Sequence, residues 1–201
     1  MAVARHSLLS PQAIASPAAG VFLWLALALP AARGLLEDSM TLHMLVQMPL
    51  LALTGALAIA AVEPSLLQAI SRFNELGVAG TVVAMFASAI WMLPRSLDGA
   101  LASTGYEAAK FLTLPILVGA VLRLSWHPLG AIGRGFVISN GISMLTVLGW
   151  LYWAAPVRLC NLYLTGEQER AGAAMLLVSA AALILWFLAA LVGFPNTERK
   201  R

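Results

Sequence analysis

"MTLHMLVQMPLLALTGALAIAAV", residues 40–62, holds 23 residues without one Asp, Glu, Lys or Arg. As a helix it would be roughly 34 Å long, enough to cross a bilayer core of roughly 30 Å. A buried helix of a soluble domain seldom needs such length, so this stretch predicts a membrane span and, with it, an all-α polytopic fold.

The rest of the chain agrees. Of 201 residues, 61% are hydrophobic and 10% charged, against roughly 25% charged in an ordinary soluble domain, and the mean hydropathy is +0.88. The apolar residues form long blocks separated by short polar breaks, which predicts six transmembrane helices near residues 15–35, 40–62, 76–94, 107–124, 132–155 and 171–194, in a single domain over 1–201. In the fourth block Lys110 interrupts the start and Pro115 is expected to kink the middle. "VFLWLALALPAARG" has the look of a signal-peptide core. The segment before it is long for a leader and contains one basic residue, Arg5, so a retained helix is expected.

Charge sets the orientation. With six spans, Arg5, Arg72, Arg123, Arg134, Arg199, Lys200 and Arg201 fall on one side, and Arg33, Arg95, Lys110, Arg158 and Arg170 on the other. The excess of basic residues places both termini in the cytoplasm. The pI is about 9.5, but the net charge is only +3 and the basic residues are scattered, so no nucleic-acid surface is expected. Cys160 is the only cysteine, which excludes an intrachain disulfide and a CxxC site.

Within the opening stretch, Met40, Met44 and Met48 are spaced by four, as are His43 and Gln47. At about 100° per residue these side chains share an arc of roughly 140° and face one side of the helix together. An intramembrane histidine is costly unless it has a task or a partner. Thioether and imidazole together suit Cu(I), so His43, Met40, Met44 and, at the same expected depth, Met92 form a candidate metal site. Trp91, Trp150, Tyr152 and Trp153 are expected at that level too. The alternatives stay open: methionine fills helix bundles, aromatic residues belong to the interfacial belt, and His43 can be satisfied by one hydrogen bond.

"MTLHMLVQMPLLAL" followed by "FNELGVAGTVVAMFASAIWMLP" resembles the CtaG-type membrane proteins of cytochrome c oxidase assembly. In that family the first motif reads His-Met-x-x-His-Met. Here His43 and Met44 match the first pair and Met48 the last methionine, while Gln47 replaces the second histidine. The resemblance covers residues 39–94. It implies a protein of the bacterial inner (plasma) membrane that assists assembly of a respiratory oxidase, handling copper at the outer face, with a terminal oxidase subunit or a copper chaperone as partner beside the lipid bilayer.

The remaining polar residues suggest packing and anchoring. Glu107 and Lys110, three apart, are expected to pair, with the lysine snorkelling to the interface. "ISNGIS", residues 138–143, is expected to let helices approach at Gly141. No catalytic triad or phosphate loop is spaced for chemistry, so no enzyme is expected. A small-solute or ion transporter, or a structural subunit without a metal, is the competing class.

Overall fold

The computed structural model describes residues 11–192, and side chains over 17–191. Arg5, His6 and the basic tail lie outside them. The described residues form nine helices and no strand: α1 Pro11–Ala28, α2 Pro30–Glu37, α3 Met40–Ala61, α4 Pro64–Phe73, α5 Val78–Trp91, α6 Pro94–Ala102, α7 Thr104–Trp126, α8 Ala131–Ala154 and α9 Thr165–Val192. Four of them, α3, α7, α8 and α9, are each long and apolar enough to cross a membrane. The count rises to six if the bent pairs α1–α2 and α4–α5 each make one span. This is the expected all-α polytopic membrane fold.

Proline sets the breaks. Pro30, Pro64 and Pro94 each open a helix, where a missing N–H costs nothing. Each also forces the residue before it out of the helical region: Leu29, Glu63 and Leu93 have ψ of 135°, 130° and 140°. The stretch expected as a span over 15–35 is bent, since α1 and α2 meet at 71°. Residues 64–73 and 94–102, expected as loops, are helices, and α4 meets α5 at 91°.

Pro115 does not break α7. Residues Leu114–Ala120 widen into a π-helical segment, with Val121 N–H donating to the Ile116 carbonyl five residues back. Phe111 would normally receive the N–H of residue 115, which proline lacks. The Trp24 indole N–H donates to the Phe111 carbonyl instead, at 2.8 Å. A second π-helical segment, His43–Gln47, precedes Pro49 in α3.

The centre of the bundle is the crossing of α3 and α7. A Cβ on Gly55 would lie 1.8 Å from the Pro115 carbonyl oxygen, and one on Gly119 would lie 1.7 Å from that of Ala52, so only glycine permits this approach. α8 and α9 cross at Gly149 and Gly172. Gly141, expected to serve that purpose, meets nothing within 4 Å, and Ser139 and Ser143 are exposed. The outward faces of α8 and α9 are apolar, including Ile132, Phe136, Val147, Leu177, Leu185 and Phe187, which is the surface a lipid solvent stabilises.

Candidate functional site

Where α3 begins, all five side chains singled out in the sequence point inward: Met40, His43, Met44 and Gln47 are fully buried and Met48 is 2% exposed. The helical spacing predicts this, and the π-helical segment does not rotate any of them out. Met92 is partly buried against the same core. Trp91 and Tyr152 are core residues, with the Trp91 indole donating to Thr113 Oγ1 at 2.8 Å and the Tyr152 hydroxyl to the Met92 carbonyl at 3.1 Å. Trp150 and Trp153 are exposed, as an interfacial belt requires.

Facing His43 is Lys110, and here the expected pairing is overturned. Lys110 does not snorkel. Its side chain is 0% exposed, and its Nζ donates to Glu37 Oε1 at 2.7 Å, Gln47 Oε1 at 3.0 Å and His43 Nε2 at 3.1 Å. An ammonium has three N–H bonds and no acceptor, so these three partners use it completely. Glu107, its expected partner, pairs with Arg33 instead.

The donor count fixes the histidine. Nε2 accepts from Lys110, so the ring proton lies on Nδ1, which donates to the Tyr163 hydroxyl at 2.9 Å. Tyr163 donates in turn to the Glu37 backbone carbonyl at 2.8 Å, and Gln47 Nε2 donates to Glu37 Oε1 at 2.9 Å. Burial pushes the Tyr163 phenol well above its ordinary range and the neighbouring Glu37 adds to the shift, so the hydroxyl keeps its proton. Every residue of the cluster is hydrogen-bonded to another member, the condition under which a buried network holds one arrangement.

Four segments assemble it. α2 supplies Glu37, α3 supplies His43 and Gln47, α7 supplies Lys110, and Tyr163 comes from the α8–α9 connection. That connection is itself tied down: Asp98 of α6 accepts from Asn161 N and Nδ2 and from Leu162 N at 2.8, 3.0 and 3.2 Å, and the Arg158 guanidinium donates to the Tyr163 carbonyl at 2.8 Å. Arg33 and Glu37 stand one turn apart on α2, and Glu107 and Lys110 three residues apart on α7. Two ion pairs of opposite polarity thus join the same two helices like rungs.

A Cu(I) ion at His43 would need a nitrogen lone pair, and the one not carrying a proton is occupied by the Lys110 ammonium. The set His43, Met40, Met44 and Met92 therefore does not fit a metal while Lys110 is in place. Among the described residues no group of three or more His, Cys, Asp and Glu is arranged to hold one. Sequence reasoning missed Glu37 and Tyr163, which lie in the breaks between apolar blocks; the one available signal was the sign reversal between Arg33/Glu37 and Glu107/Lys110. No protein-family model, curated protein or solved structure matches the chain.

Proposed function

We propose that this membrane protein moves protons or proton-coupled ions through the Lys110 network, acting as a small-solute or ion transporter and not as an enzyme. The carrying observation is a lysine with no solvent exposure whose three N–H bonds end on a carboxylate, an amide and an imidazole. Intramembrane ionisable side chains are expensive and mark ion and proton paths. Proton transfer from Lys110 Nζ to Glu37 Oε1 leaves a neutral amine and a neutral carboxylic acid, so the pair exchanges a proton without gaining net charge. His43 adds a second acceptor, since its Nε2 can take a proton from Lys110 Nζ and hold it as an imidazolium whose Nδ1–H stays on the Tyr163 hydroxyl. With the bacterial plasma membrane as its location and both termini cytoplasmic, the network lies in the outer half.

Purified protein in vesicles containing a pH-sensitive dye tests this. Under an imposed potassium diffusion potential, wild-type protein should carry protons, while Lys110→Met and Glu37→Gln, checked for folding, should not. Vesicles as tight as protein-free ones would overturn the proposal.

A second reading, assistance in respiratory oxidase assembly with copper handled at the outer face, is supported by the burial of Met40 and Met44 on the same side as His43. It requires Lys110 to leave His43 Nε2. Copper content measured on the same preparations separates the two: stoichiometric Cu(I) in tight vesicles favours the assembly reading.

A further inference from the structure

Beside the Arg33–Glu107 rung a cavity of about 320 Å³ opens between α1, α2 and α7. Its walls are mainly apolar, with Trp24 and Phe111 packed edge to face at a centroid distance of 6.1 Å and Leu112 55% exposed at the rim. Its polar end is formed by Arg33 and Glu107. Among the described residues, Arg33 Nε and Glu107 Oε1 are the two buried side-chain atoms that lack a hydrogen-bond partner, and both belong to residues lining this cavity. Glu107 Oε1 does meet the Arg33 guanidinium as an ion pair. A buried donor and a buried acceptor without hydrogen bonds are costly and call for an explanation.

We propose that this cavity binds a zwitterionic phospholipid of the phosphatidylethanolamine class. A phosphate oxygen accepts from Arg33 Nε, the headgroup ammonium donates to Glu107 Oε1, and the start of an acyl chain lies along Trp24, Phe111 and Leu112. The chemistry selects this class because the polar end offers one cation and one anion: an anionic headgroup without an ammonium would answer Arg33 and set an uncompensated negative charge beside Glu107. The apolar walls and the exposed rim at Leu112 match a ligand arriving from the bilayer and not from water. This binding does not depend on proton movement through Lys110, so either can fail alone.

Native mass spectrometry of the detergent-purified chain, with phosphatidylethanolamine or phosphatidylglycerol of equal chain length, reads the preference directly. Wild-type protein should retain the ethanolamine lipid about tenfold better, the effect of one charge-assisted hydrogen bond. O-phosphoethanolamine, which has the headgroup without acyl chains, should bind weakly, and competition by it at equal concentration would reassign the site to a soluble zwitterion. Glu107→Gln should abolish the preference. Because that change also breaks the ion pair, Ala108→Phe provides a second variant: Ala108 lines the cavity and is exposed, so a larger side chain fills the space without touching either charge. Equal retention of both lipids by wild-type protein, or undiminished retention by Ala108→Phe, would overturn the proposal.

Discussion

Lys110 is the residue on which the interior of this protein turns. Removing one partner of a buried ion pair leaves the other charged and unpaired, at a cost of about 3–5 kcal/mol, whereas removing both costs far less. Lys110→Met should therefore lower stability by about that amount, and Lys110→Met/Glu37→Met should recover most of it; denaturant unfolding in detergent micelles measures both. Equal loss in the single and double variants would mean that the two side chains are not energetically coupled. Lys110→Arg should not substitute, because a planar guanidinium cannot point three donors at Glu37, Gln47 and His43 as a tetrahedral ammonium does. The inward set Met40, His43, Met44, Met48 and Gln47 was legible because helical spacing depends on one element. The partner of His43 was not, because Lys110 lies 67 positions away and its depth depends on how α7 crosses α3. Its position near a helix start suggested an exit to the interface; α2 and the α8–α9 connection close that exit.

At the scale of elements, the apolar blocks were visible in composition, since lipid selects them residue by residue. Their bends are local as well, since Pro30, Pro64 and Pro94 each make the residue before them extended. The crossing glycines could not be ranked from sequence, because Gly119 and Gly141 look alike until a neighbour is placed. Gly119→Ala should be strongly destabilising, since its Cβ would lie 1.7 Å from the Ala52 carbonyl oxygen, while Gly141→Ala should be neutral or slightly stabilising. Comparative thermal unfolding of the two variants checks this. The α8–α9 connection makes a prediction with pH. Cys160 is fully buried, and burial, followed by the nearby Asp98 charge, pushes its thiol up to about 12. In the unfolded chain the thiol ionises near 9, so the native state loses relative stability as pH climbs above that value and gains nothing below it. Iodoacetamide at pH 8.5 should modify the SDS-denatured chain rapidly and the folded protein hardly at all. Equal rates would show that the connection opens.

Across the whole molecule, long-range contacts sort the connections into two ends. Ser39 bonds to Glu167, Tyr163 to the Glu37 carbonyl and Asn161 to Asp98, which gathers the segments around 37–39, 98 and 155–167 at one end. Asn74 bonds to Ser125 and Arg134 to the Trp126 carbonyl, gathering 74–77 and 125–134 at the other. The first end holds Glu37, Asp38, Asp98, Glu107, Glu167 and Glu169, and three of its basic residues, Arg33, Lys110 and Arg170, are in ion pairs with that set. Neutralised cations should count little in fixing orientation, so the second end, with Arg72, Arg123 and Arg134, should face the cytoplasm more decisively than a bare count of basic residues suggests. Single cysteines test this cleanly because the native Cys160 is buried and contributes little background. A cysteine at Arg72 in intact cells should react only with a membrane-permeant maleimide, and one at Glu169 with an impermeant reagent as well. Labelling of both from outside would collapse the two ends onto one side of the membrane and refute the bundle's orientation.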